Sequence, residues 1–178
     1  LILGKSAHRL SIDIDVICPP GTNIEDYLKS FADFGFINLE LVERKQRDDA
    51  DIPKSHSKFF YQIAYRNDTD AQSYILLDVL YEDIHYFQTR QTAIDCPFIR
   101  LEGEPLMVTV PSAEDILGDK LTAFAPNTTG IPYYKNGRSC SMEIAKQLYD
   151  VGRLFENISG LQITACLLYT SDAADDLI

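Results

Sequence analysis

The chain has no uninterrupted run of about 18 apolar residues, the length a membrane-spanning helix needs, and it opens without the basic flank and apolar stretch of a secretory signal. A cytoplasmic address is the resulting expectation. It has no C-x-x-C pair: Cys18, Cys96, Cys140 and Cys166 are scattered, which argues against a disulfide framework and against a zinc site, and for reduced thiols. Positive charge is scarce. With 16 Lys+Arg against 27 Asp+Glu, a formal net charge of -11, the chain has no global footprint of a nucleic-acid binder, and any such contact needs a local basic patch. What it does have is 178 residues of which 46% are hydrophobic, enough for one globular domain with a buried core.

Both ends are unusual. Position 1 is not Met, and Leu1-Ile2-Leu3 reads as the tail of an element already under way, so further chain is expected upstream. The segment from Cys166 to Asp175 (CLLYTSDAAD) is similar to a conceptual translation of an adapter used in transposase-based sequencing libraries, so residues 166–178 are expected to be a non-native tail that does not pack. Removing it deletes Asp172, Asp175 and Asp176 and no base, so the acidic character survives.

Leu10, Ile12, Ile14 and Val16 alternate with Ser11, Asp13 and Asp15, the period of a strand with one polar face, and Cys18-Pro19-Pro20-Gly21 ends it. Thr22 or Asn23 is placed to cap a helix over 24–34 with an apolar stripe of Ile24, Tyr27, Leu28, Phe31 and Phe34, and Gly35 supplies its stop. Strand patterns then dominate residues 36–110, interrupted by a charged loop over 43–57 and a turn at Asn67-Asp68-Thr69-Asp70. After Pro111 the period changes. Ser112 and Asp115 resemble a capping box that opens a helix to about Phe124, and Met142, Ile144 or Ala145, Leu148, Tyr149, Gly152 and Phe155 suggest a second, to about Glu156. The fold class is therefore α+β: a mixed β-sheet core with flanking helices and a C-terminal helical extension, divided as residues 1–111, 112–165 and the tail 166–178.

Asp13 and Asp15 lie two apart on a strand, so their carboxylates point the same way with Cα atoms about 6.5 Å apart. Such a pair can share a hard divalent cation, Mg²⁺ above all, and phosphoryl or nucleotidyl transfer is the commonest use. An acidic, solvent-facing edge strand is the plainer alternative. Asp78, set among Ile75, Leu76, Leu77, Val79 and Leu80, is a lone acid in a segment apolar enough to be buried, and a neighbouring strand that completes a carboxylate triad would explain it. His8, His56 and His85 lack metal-ligand spacing. Tyr133, Tyr134, Lys135 and Arg138 form one aromatic and basic loop that could stack a base, although an ordinary surface loop is the plainer reading.

In order along the chain, Arg9-Leu-Ser11-Ile-Asp13-Ile-Asp15, Asp78, Asp115–Ala123 (DILGDKLTA) and Lys146-Gln-Leu-Tyr-Asp150 resemble the AbiEii/AbiGii toxin family of nucleotidyltransferases. The combination spans most of residues 4–156 and is more specific than any one piece. The resemblance implies a nucleotidyltransferase fold and transfer of a nucleotide from an NTP, in some members to tRNA, by the toxin component of a toxin–antitoxin (phage abortive infection) system with a cognate antitoxin protein. It implies Asp13, Asp15 and Asp78 as Mg²⁺ ligands, Arg9, Ser11 and Lys120 toward the NTP, and Asp150 as the acid that positions Lys120 or the acceptor. A monomer is expected.

Two departures from the family pattern stand out. Where many members read K-D-x-x-D this chain has Gln147, and the family's Gly-Gly-Ser/Thr turn, which holds triphosphate through backbone N–H groups, is expected upstream of Leu1. A catalytically silent interaction module that keeps the fold is therefore the rival reading. A phosphatase of the haloacid-dehalogenase type is set aside, because its D-x-D leads into a Gly-Thr turn whereas Val16-Ile17 continues the strand here.

Overall fold

The computed structural model describes residues 11, 13–41, 54–62, 72–125 and 130–170, which form an α+β fold of two compact units, Ser11–His85 and the described chain from Tyr86 onward. The turn expected at 67–70 and most of the charged loop lie outside the described residues.

The first unit is a sheet of four strands, β1 (Asp13–Cys18), β2 (Asn38–Leu41), β3 (Lys54–Gln62) and β4 (Gln72–Tyr81), in the order β1-β4-β3-β2. β1 runs parallel to β4, whereas β3 is antiparallel to both of its neighbours. Alternation fixes the two faces. One carries Leu77 and the buried Val79 and Ser57, with the Phe59 ring 5.3 Å from that of Phe36. The other carries Asp13, Asp15, Asp78, His56 and Lys58, so the polar positions of three strands fall on one side.

Between β1 and β2 the expected helix over 24–34 is broken in two. A single turn, α1 (Glu25–Leu28), is followed by a 3₁₀ turn at Phe31–Phe34, and Gly35 ends it in the left-handed conformation, φ 83°, with its N–H donating to Ala32 and Phe31. The tighter 3₁₀ period dissolves the anticipated stripe: Leu28 is buried, but Tyr27 and Phe34 are exposed. Ile24, not Thr22 or Asn23, is the N-cap and makes no side-chain cap bond, while one residue ahead the Asn23 Oδ1 accepts from the Glu25 N–H at 3.2 Å.

The second unit pairs a two-stranded ribbon, β5 (Thr89–Ala93) and β6 (Met107–Pro111), with helices α2 (Ala113–Thr122), α3 (Ser141–Phe155) and α4 (Gln162–Thr170). A small hairpin, β7 (Tyr134–Lys135) and β8 (Arg138–Ser139), precedes α3. The ribbon and the helices belong to the same compact unit, which begins at Tyr86 among the described residues. The reason is a polar clamp at the start of α2. Ser112 caps the helix, its Oγ accepting from the Asp115 N–H at 3.1 Å, and its own N–H donates to the Gln88 carbonyl at 2.9 Å. Asp115, fully buried, accepts from the N–H groups of Phe87 and Gln88 at 2.9 and 3.1 Å and from the Ser112 hydroxyl at 2.6 Å.

Leu117, Val151 and Leu154 form the helical core, with Ala113, Ile116, Leu121, Phe124 and Ile158 packed around them. Two apolar periods coexist along α3. The stripe read from Met142, Leu148, Tyr149 and Phe155 is exposed, whereas Asp150, Val151 and Leu154 are buried. Packing against α2 selects the face that brings Asp150 to Lys120.

α4 runs through the 165/166 boundary without a break, which corrects the expectation that the segment from Cys166 contributes no packing. A Cβ at buried Gly118 of α2 would lie 2.6 Å from Leu167 Cδ2, so glycine is what lets the two helices close. Upstream, Thr164 Oγ1 donates to the Glu114 carbonyl at 3.0 Å, and the Ser159 N–H and hydroxyl both donate to Glu114 Oε1 at 3.1 Å. Residues 171–178 lie outside the described residues.

Candidate functional site

In the sheet unit the acids singled out from the sequence fall on one face. Asp15 is the register partner of Asp78 across the parallel β1–β4 pair, and Asp13, two residues earlier on β1, is opposite Leu76. Adjacent strands lie about 4.8 Å apart, so Asp15 and Asp78 are side-by-side neighbours on that face. Asp78 is half-buried rather than buried, its side chain 26% exposed, which suits a group that must meet a ligand better than the fully enclosed position expected of it. Ser11 lies beside the pair's entry, its Oγ 3.5 Å from the donating N–H of Asp13. Arg9 falls outside the described residues.

The structure adds a residue that spacing along the chain does not reveal. His56, opposite Asp78 on β3, donates from Nδ1 to Asp78 Oδ1 at 2.7 Å, with its own side chain 11% exposed. The bond leaves Asp78 Oδ2 as the oxygen directed elsewhere and fixes the carboxylate's rotamer. Only the β3–β4 register brings the two together; they lie 22 apart in sequence, and nothing between them signals it.

The donor set on this face, three carboxylates, is hard oxygen throughout and fits a divalent cation such as Mg²⁺ better than a soft or borderline metal. Among the described residues no group of three or more His, Cys, Asp or Glu side chains is placed to hold a metal ion as the chain stands.

In the helical unit Lys120 and Asp150 come together. Lys120 Nζ of α2 lies 3.2 Å from Asp150 Oδ2 of α3 and donates to Gln147 Oε1 at 3.0 Å. Asp150 is almost wholly buried, its side chain 1% exposed, while that of Lys120 is 22% exposed. The acid is thus committed to holding the ammonium, and the ammonium keeps an open side. The pairings with Glu114, Asp115 or Asp119 that a helix-surface lysine invites are not the ones formed. Gln147, at the position where the family motif carries an acid, turns that departure into a contact: a neutral amide oxygen accepts from the lysine where a second carboxylate would have sat.

The third conspicuous acid, Asp115, has a different part. With both oxygens occupied by backbone N–H groups and the Ser112 hydroxyl, it is a buried structural clamp.

No curated protein and no solved structure gives a significant match to the chain. A family model does, over residues 1–177, and its description is a nucleotidyl transferase AbiEii toxin of a type IV toxin–antitoxin system. The acids on the β1–β4 face and the Lys120–Asp150 pair are therefore set in a protein that belongs to the AbiEii family of nucleotidyl transferase toxins.

Proposed function

We propose that this protein transfers a nucleotide from an NTP to an acceptor hydroxyl, with tRNA as the acceptor, and that Asp13, Asp15 and Asp78 hold the Mg²⁺ the reaction needs. The observation that carries the reading is the in-register placement of Asp15 beside Asp78, with Asp13 on the same face, in a chain of this family. Membership of a type IV toxin–antitoxin family implies a nucleotide substrate and a cognate antitoxin. The bound cation would supply neutralisation of phosphate charge and alignment of the attacking and leaving oxygens. The acceptor hydroxyl oxygen attacks the α-phosphorus as its proton passes to water, the bond to the α–β bridging oxygen breaks, and pyrophosphate departs.

The chain's own residues divide the remaining work. His56 holds Asp78 in one rotamer, so that its second oxygen is preset. Lys120 is the cation for phosphate charge, its ammonium oriented by Asp150 and Gln147. Ser11, two residues ahead of Asp13, and Arg9 are the residues we assign to the NTP.

The test is incubation of the protein with each α-labelled NTP, Mg²⁺ and total RNA. Label should migrate with tRNA and vanish with EDTA. Asp15→Ala or Asp13→Ala should abolish transfer, by about 1,000-fold or more, with an unchanged or raised melting temperature, since removing one of two like charges relieves repulsion. Lys120→Met should weaken NTP binding more than it weakens the fold. A parental transfer rate in the Asp variants would sink the assignment, and a chain that binds neither Mg²⁺ nor NTP would be the silent interaction module.

A further inference from the structure

The hairpin ahead of α3 is a second candidate for chemistry, and no role in the reaction above uses it. Its turn residues Asn136 and Gly137 both have positive φ, 52° and 76°, the two-residue turn that matches strand twist and fixes a hairpin tightly. The Cys140 N–H donates to the Tyr133 carbonyl at 2.9 Å and ties the base, next to a Cys140 that is itself buried. The hairpin is thus a preorganised platform.

Register separates its side chains by type. Lys135 is paired with Arg138 and Tyr134 with Ser139, so the two cations share one face and Tyr134 takes the other. Each face borders a concavity. One, of about 460 Å³, is lined by Lys135, Asn136, Arg138, Ser139, Cys140 and Glu143. The other, of about 190 Å³, is lined by Tyr133, Tyr134, Ser139, Ser141 and Ile144. Tyr133 and Tyr134 are 66% and 72% exposed, and neither Lys135 nor Arg138 is ion-paired with a described residue. In a chain of net charge -11, two adjacent cations beside two open aromatic rings are a local exception.

We propose that this hairpin docks an unpaired segment of the acceptor RNA, with phosphates on the Lys135–Arg138 face and a base stacked on Tyr134. The chemistry matches the strand on both counts: backbone charge is met by paired cations, and stacking on an exposed ring is open to any base. Glu143 also lines the cationic concavity, and its charge opposes a phosphate set beside it. The proposal rests on the reading that the acceptor is RNA, and it names where that RNA is gripped.

The experiment is fluorescence anisotropy of a labelled, unpaired 12-nucleotide RNA with the full chain, in EDTA and without NTP, so that binding is read apart from transfer. Tyr134→Ala should weaken binding about 5- to 100-fold, whereas Tyr134→Phe should bind as the parent does. Lys135→Ala with Arg138→Ala should weaken binding and lower the log–log salt slope by about 1.4, near 0.7 for each phosphate that no longer meets a cation. Because binding is read without metal or NTP, failure of the transfer reading leaves this measurement standing. Parental affinity in both hairpin variants, or equal binding of a 12-base-pair DNA duplex, would overturn the proposal. Should Tyr134→Ala unfold, the cation variant, altered only at exposed side chains, decides alone.

Discussion

The two units use the same side chain in opposite ways. In the helical unit Asp115 and Asp150 are buried, and the oxygens of Asp115 are consumed by two backbone N–H groups and a hydroxyl, while Asp150 is consumed in holding Lys120. In the sheet unit Asp13 and Asp78 are half-buried and Asp15 is exposed, all on one face. A buried carboxylate whose lone pairs are filled by the fold stabilises it; one at the surface can be reached by a ligand. Burial, more than the presence of an acid in a motif, sorts structural aspartates from candidate ligands.

The sharpest break of this comparison is Asp115→Ala. It strands the N–H groups of Phe87 and Gln88 and the Ser112 hydroxyl in a buried site, and the expected loss is about 3 kcal/mol or more, read from urea unfolding. A loss below about 1 kcal/mol would show that the clamp is not what binds the ribbon to α2. Asp15→Ala should show the converse, lost transfer with no loss of stability.

His56→Ala probes the boundary between the two roles. It removes a support of Asp78 without touching a proposed ligand, and about 10- to 100-fold weaker Mg²⁺ binding is expected by isothermal titration calorimetry, with His56→Asn restoring part of it. Unchanged Mg²⁺ affinity would reduce the bond to a cross-strand contact.

Truncation after Ala165 tests how far the helical unit extends. It removes Leu167 from Gly118 but keeps Thr164 and Ser159 on Glu114, so a loss of about 1–2 kcal/mol is expected from thermal unfolding. No change would restore the view that packing stops before Cys166.

The smallest effect concerns acid. The Ser159 backbone N–H beside Glu114 holds its carboxyl below its ordinary value of 4.5. A depressed native pKa contributes stability that is complete above the unfolded value and lost as the pH falls through the native one. Glu114→Gln should therefore flatten the acid limb of the stability curve, lowering stability at pH 7 by well under about 1 kcal/mol, the scale of an exposed charged contact, and leaving it unchanged below the native pKa. A steeper acid limb in the variant would contradict the sign.

Much of the fold is legible in the sequence, and for local reasons. Period-two alternation around Asp13 and Asp15 predicts a strand with both acids on one face, and Ser112 three residues before Asp115 predicts the start of α2; both depend on neighbours within four residues. The broken helix over 24–34 is not legible, because a 3₁₀ turn and an α turn share the same apolar residues and differ only in how they pack. Nor is the buried face of α3, where two apolar periods compete and α2 chooses.

The sequence alone determined the α+β class, the shared face of Asp13 and Asp15, and the family to which the chain belongs, since each is carried by residue type and short-range period. Tertiary structure alone decided that Asp78 is held by His56, that Lys120 is met by Asp150 and Gln147, and that Asp115 is spent as a clamp. Those facts depend on strand register and helix packing between residues 22 to 30 apart, and a hydrogen bond of about 3 Å is set by where the backbone finally lies, which no local pattern encodes.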